Sequence, residues 1–166
     1  HCSSACIAGE VAAAIDNGRM DEAERIALWY KNLFGDDYSL EVMLHPSGKG
    51  EGAETIPGKE PLPPRAIADF RDLYARQKRA VDGMLELGKK LSIRVIATND
   101  VHYMRKEDAE EHEIMLCIQT GAKLAEPHFK FSAPEFYFKS PDEMKALFRE
   151  TPEAVTNTVG IAVRCD

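Results

Sequence analysis

Residues 93–102 read IRVIATNDVH, and this stretch decides how the rest of the chain is interpreted. Ile93 to Ala97 form a short apolar run with one arginine, the pattern of a buried strand. Thr98, Asn99 and Asp100 stop it with side chains that favour turns. Asp100 and His102 come next, at i and i+2. If the backbone stays extended there, both side chains point to the same side. A carboxylate and an imidazole converging at the end of a buried strand suit a divalent metal. The competing reading is that Asp100 caps the next turn and His102 is merely packed.

Upstream, Tyr38–Leu44 alternates as a strand and ends in His45. A long amphipathic pattern over 66–91, marked by Ile67, Phe70, Tyr74, Val81, Met84, Gly88 and Leu91, predicts a helix leading directly into the Ile93 strand. Strand, helix, strand is a βαβ unit, which requires parallel strands. Between them, residues 46–64 are rich in Gly and Pro and have no period. So long a loop reads as a surface insertion.

At the start of the chain, SSACIAG (3–9) is a run of small residues around one thiol, the composition of a tight strand-to-helix turn. A short helix is expected over Val11–Ile15. A second starts at the acidic Asp21, Glu22 and Glu24, carries Ala23, Ile26, Ala27, Tyr30, Leu33 and Phe34 on one face, and stops at Gly35. Downstream, 106–120 reads as a helix ended by Gly121, and Glu135–Lys139 as an extended piece. Ser140-Pro141-Asp142-Glu143 is a capping box with Pro at the first helical position. Thr151-Pro152-Glu153 is read as starting the last helix in the same way.

Composition narrows the class. The 166 residues, 44% hydrophobic and 30% charged, suit one soluble globular domain or a large part of one. A net charge of -7 argues against phosphate gripping by this segment alone. No apolar run approaches membrane-spanning length. Cys2, Cys6, Cys117 and Cys165 form no CxxC pair, which fits a reducing, cytoplasmic setting. The opening His1 reads as the edge of a piece of a longer protein. Parallel β/α architectures carry functional groups in the loops after their strands. Three such loops hold Cys6, His45 and the Asp100/His102 pair. A thiolate, an imidazole and a carboxylate together favour zinc, or a mixed site open to manganese or iron. Taken singly, Cys6 reads as a small buried residue and His45 as a strand-end hydrogen bonder. His112 is expected to bond a neighbouring loop. Ser-His-Asp patterns, P-loops and dinucleotide fingerprints are absent from the sequence.

SACIAGEV (4–11), ATNDVHY (97–103), EDAEEHEIMLCIQTG (107–121) and FSAPEFYFKSPDEM (131–144) together carry a resemblance. In this order they resemble the PHP (polymerase and histidinol phosphatase) domain of the bacterial DNA polymerase III alpha subunit family. EAERIALWYKNLFGDDYSLEV (22–42) is similar to the same family. The resemblance implies part of a distorted, TIM-like β/α barrel with a multi-metal centre at the carboxyl ends of its strands. Carried over residue by residue, its metal ligands are Cys6, Asp100 and His102; His45 matches a common histidine that is not a ligand.

The family's H-x-H and further His and Glu ligands would precede Cys6, so residues 1–166 are expected to be the C-terminal portion of the domain. By itself the piece is expected to hold metal weakly or not at all, to carry no catalytic residue, and to self-associate or rearrange locally through open strand edges and apolar helix faces. The resemblance further implies zinc or manganese in the intact domain, and magnesium for a polymerase centre outside this chain. Its implied partners are DNA, a proofreading exonuclease subunit and other replicase subunits; its implied activities are docking and metal-dependent 3′–5′ exonuclease action. The alternatives are a free-standing metal-dependent phosphoesterase of the histidinol-phosphatase kind, in which a metal-bound hydroxide attacks phosphorus, and a helical interaction module without catalysis.

Overall fold

In the computed structural model the described residues are 1–46, 64–126, 128–131 and 133–165, with the side chains of 64–70 also outside the description. The proposed insertion at 46–64 therefore lies, apart from its two end residues, outside the described residues, as do the side chains of Ile67 and Phe70. The chain divides into two compact units: His1–Leu44, Ala75–Thr98 and Ser140–Asp166 form one, and His45–Tyr74 and Asn99–Lys139 the other.

The first unit is built on a parallel sheet of β1 (Cys2–Ser3), β2 (Tyr38–Met43) and β3 (Arg94–Thr98), in that order. The register sets Leu40 beside Val95 and Val42 beside Ala97, so one face of the sheet is continuously apolar. Helix α3 (Pro64–Leu91) supplies the crossover from β2 to β3, as the βαβ pattern requires. Its Val81, Met84 and Leu87 are buried together with Leu40, Val42 and Ala97. Gly88 is what allows the approach: a Cβ there would lie 2.5 Å from Val95 Cγ2 and 3.1 Å from the Ile93 carbonyl.

The opposite face is mixed, with Ile96 beside Glu41 and Met43 beside Thr98. Glu41 sits at its centre, accepting from Ser3 Oγ on β1 and, at 2.6 Å, from Thr98 Oγ1 on β3. The Glu41 amide donates to Ser4 Oγ at 2.8 Å. A carboxylate thus ties three strands together, a task that backbone pairing alone does not need.

Helices α1 (Glu10–Asp16) and α2 (Met20–Phe34) pack on one another. Val11, Ala12, Ala14 and Ile15 of the one and Ala23 and Ala27 of the other are buried, the small residues allowing close contact. The stripe read along α2 is buried only in part: Leu33 is 59% exposed, and Tyr30 makes the contact instead by stacking on Tyr38 at 5.4 Å. Asp16 fastens α1 to α3, accepting from Arg76 and Arg79, each at 2.7 Å. Burial opposes its charge, but the two guanidinium groups hold its carboxyl below the usual range.

Helix α5 (Pro141–Leu147) starts with the expected reciprocal cap: Ser140 Nα donates to Glu143 Oε2 at 2.7 Å and Glu143 Nα to Ser140 Oγ at 3.3 Å. Helix α6 (Pro152–Ala162) departs from the reading: Pro152 opens it, but the Thr151 side chain makes no capping bond. The box needs Glu or Gln three residues on, and Ala154 stands there. α6 runs along β3, where Asn157 Nδ2 donates to the Val95 carbonyl at 2.9 Å.

In the second unit, the helix expected from residue 106 begins as a 3₁₀ turn (Lys106–Asp108) and becomes α4 at Ala109–Thr120. Gly121 closes α4 at φ +69°, the left-handed conformation glycine adopts without strain. The extended piece near Tyr137 pairs in parallel with Tyr103 through a single bridge. The architecture is mixed α/β with a small parallel sheet; a closed barrel is not among the described residues. No helix among the described residues is long and apolar enough to cross a membrane.

Gly88→Ala should lower stability by roughly 1–3 kcal/mol, because neither the branched Val95 side chain nor the Ile93 carbonyl can retreat freely. Thermal unfolding of the variant measures it, and an unchanged midpoint would contradict this packing.

Candidate functional site

β3 ends at Thr98, and the next residue, Asn99, sets the path of the chain beyond the strand. Its side chain is buried, and Nδ2 donates to the Glu135 carbonyl at 3.0 Å and the Tyr137 carbonyl at 2.8 Å. Its own main-chain carbonyl accepts from His45 Nε2 at 3.1 Å. His45 is fully buried, with its ring 4.1 Å from that of Phe136. Burial pushes its pKa down, against the Asn99 carbonyl, which raises it; facing a carbonyl, Nε2 is the donor. Of the two readings open to His45, the structure gives the hydrogen bonder.

Asp100 then takes φ +49°, so the chain is not extended as the i, i+2 spacing requires. Aspartate tolerates this conformation because its short polar side chain bonds locally. The turn still delivers convergence by another route: Asp100 Oδ1 lies 3.4 Å from His102 Nε2, with the two side chains 32% and 36% exposed. Two donors on one tetrahedral zinc, with bonds of about 2.0 Å, stand roughly 3.3 Å apart. The separation and the oxygen–nitrogen donor set therefore fit a shared divalent ion, as two of its ligands.

The main chain of His102 is fixed from the other side. Its amide donates to the Phe136 carbonyl at 2.8 Å, and the Phe138 amide donates to the Tyr103 carbonyl at 3.1 Å. The Phe136 amide donates to Tyr103 Oη at 3.3 Å, and burial pushes that phenol's pKa up to about 12. Segment 135–139 is itself anchored by Glu135, 4% exposed, between Lys106 at 2.8 Å and Lys139 at 3.0 Å. A buried acid with two ammonium partners is satisfied where an unpaired one would be costly.

Among the described residues, His112, on α4, meets its neighbouring loops by ring contact and not by the hydrogen bond its sequence position implies. Its ring lies 5.5 Å from His102, 5.3 Å from Tyr103 and 5.1 Å from Phe131. Burial, then the neighbouring His102, lower its pKa. The loop role belongs to His128, whose Nε2 meets Glu113 at 2.7 Å and whose Nδ1 meets the Glu126 carbonyl at 2.7 Å.

Cys6 lies in the first unit, in the turn between β1 and α1, where the sequence places a thiol. The turn is tight: Ala5 has φ +62°, the Gly9 amide donates to the Cys6 carbonyl at 2.8 Å, and a Cβ on Gly9 would lie 2.3 Å from the Ser4 carbonyl. The half-buried thiol edges a small recess with Glu41, Met43, Gln77 and Val81. Asp100 and His102 belong to the second unit. Among the described residues, no three His, Cys, Asp or Glu side chains are gathered as a metal site.

Sequence reasoning reads Asn99 only as a turn former and passes over Glu135 and the ring contacts of His112. Most of their partners lie tens of residues away, so no local pattern reveals them.

These features define a parallel α/β protein with an acid–imidazole pair just beyond a strand's carboxyl end. No family model matches the chain. It is similar over nearly its whole length to proteins named DNA polymerase III subunit alpha. That of Campylobacter jejuni is 38% identical over 99% of this chain and 12% of its own length. Those of Borreliella burgdorferi and Treponema pallidum are 37% and 36% identical over the same shares. The chain thus spans about 12% of the length of the curated relatives it matches.

The His128 contacts give a pH expectation. The Glu126 carbonyl and then Glu113 raise its pKa above the ordinary 6.5. The group therefore contributes stability in full below the unfolded value, and loses it as pH rises through the higher folded value. An NMR titration should show His128 titrating above 6.5, and Glu113→Gln should bring it down; a wild-type midpoint below 6.5 would refute the pairing.

Proposed function

We propose that the chain is a segment of the alpha subunit of a bacterial replicative DNA polymerase III, namely the C-terminal portion of its PHP domain. The similarity to alpha subunits along nearly the entire chain carries this reading. The β1–β2–β3 sheet supports it as part of a β/α barrel whose other strands come from flanking sequence. On this reading the parent enzyme extends a DNA primer with magnesium at a centre elsewhere, and this segment supports structure and docking of the proofreading exonuclease. The setting is the cytoplasm.

In the intact domain Asp100 and His102, with Cys6 and ligands from preceding sequence, would hold zinc or manganese. Such an ion supplies Lewis-acid polarisation of a phosphodiester when bound. The protein's share is to present the Asp100 carboxylate and the His102 ring nitrogen in fixed geometry. The 3.4 Å Asp100–His102 separation supports that role, and Phe131 and Phe136, 4.4 and 5.9 Å from the His102 ring, shield it on the protein side.

Two measurements test the proposal. The reading frame around the chain should encode an H-x-H and further His and Glu upstream; a frame without them excludes the metal centre. In the full-length subunit, Asp100→Ala with His102→Ala should remove zinc or manganese measured by mass spectrometry, while primer extension persists. Metal retained at wild-type stoichiometry would refute the ligand assignment.

A further inference from the structure

We propose that His112 is a positioning residue for His102, acting through its ring rather than as a ligand. This rests on the metal-binding reading of Asp100 and His102. The main chain of His102 is already fixed, because its amide donates to the Phe136 carbonyl at 2.8 Å and the next residue bridges to Tyr137. What main-chain pairing leaves free is rotation of the imidazole about its side-chain torsions. Three rings restrict it: Phe131 at 4.4 Å, His112 at 5.5 Å and Phe136 at 5.9 Å.

Phe131 and Phe136 also contact each other at 4.5 Å and belong to the small buried cluster of this unit. His112 is the member that comes from α4, so it ties the helix to the site. It also touches Tyr103 and Phe131, the ring neighbours of the same cluster. An imidazole held edge and face in this way keeps Nε2 toward Asp100 before any ion arrives. Losing a hydrogen-bonded outer-shell partner of a ligand typically costs 10- to 100-fold in metal affinity, and a ring contact belongs at the low end of that range.

The role separates from ligation by size and shape. Phenylalanine keeps the ring contact and loses both nitrogens; alanine loses both. In the full-length subunit, zinc affinity is measured by competition with a chromophoric chelator for wild type, His112→Ala, His112→Phe and His102→Ala. The expected result is that His112→Ala weakens zinc about 10-fold or more, and that His112→Phe recovers most of the loss. Cobalt(II) absorption should broaden or shift in His112→Ala and return in His112→Phe. If His112→Phe is as weak as His112→Ala, a nitrogen is needed and the positioning role is overturned. If His112→Ala binds zinc as wild type does while His102→Ala does not, the positioning role alone is overturned. If zinc binding ignores His102→Ala, the metal reading falls, and this role with it. Hydrogen exchange across α4 checks that His112→Ala is folded; a helix lost in that variant leaves His112→Phe to decide, with near-wild-type affinity expected and a loss of about 10-fold or more overturning the role.

Discussion

The Asn99 carboxamide is the constraint on which the second unit depends. Its two N–H groups donate to the Glu135 and Tyr137 carbonyls, and the main-chain carbonyl of the same residue accepts from His45 Nε2. One residue therefore joins three stretches of chain that sequence separates by tens of positions. The bonds to Glu135 and His45 are buried and that to Tyr137 is partly so, so losing a partner of the first two would strand a polar group without water. Asp100 follows directly in a left-handed turn, and its carboxylate lies 3.4 Å from His102 Nε2.

The first unit depends on a different device. Its sheet has one apolar face against α3 and one mixed face joined by Glu41. The mixed face is internally bonded, with Ser3, Glu41 and Thr98 linked across strands. Ser39 Oγ and Arg94 Nη1, on the same face by register, are buried with no partner among the described residues. Such a face suits the inner wall of a larger β/α assembly better than a finished surface, in keeping with the proposed barrel.

Much of this is legible in advance. Both main strands, the long crossover helix and the Ser140 cap follow from periodicity and from residue types with one strong local preference. The failures share a physical cause. Thr151 resembles Ser140, but a capping box is a two-residue device and its second member is missing. Leu33 continues the apolar stripe of α2, but Tyr30 reaches the sheet first by stacking on Tyr38. The helical position of His112 suggests a hydrogen bond to a loop, whereas among the described residues its ring packs on the loop residues Tyr103 and Phe131 and on His102. His45, by contrast, is the strand-end hydrogen bonder its sequence position suggests, enclosed beside the Asn99 carbonyl.

Short-range rules were enough for the sequence to determine the alternation of strand and helix, the parallel pairing of Tyr38–Met43 with Arg94–Thr98, and the presence of an acid and an imidazole just past the strand. Those features depend on side-chain period and turn chemistry within a few residues. Only the tertiary structure decided that Asp100 turns left-handed, that Glu135 and Asn99 lock the segment beside it, and that His112 faces His102. These are contacts between residues far apart along the chain, and their energies exist only once packing has removed the water that would otherwise satisfy the same groups.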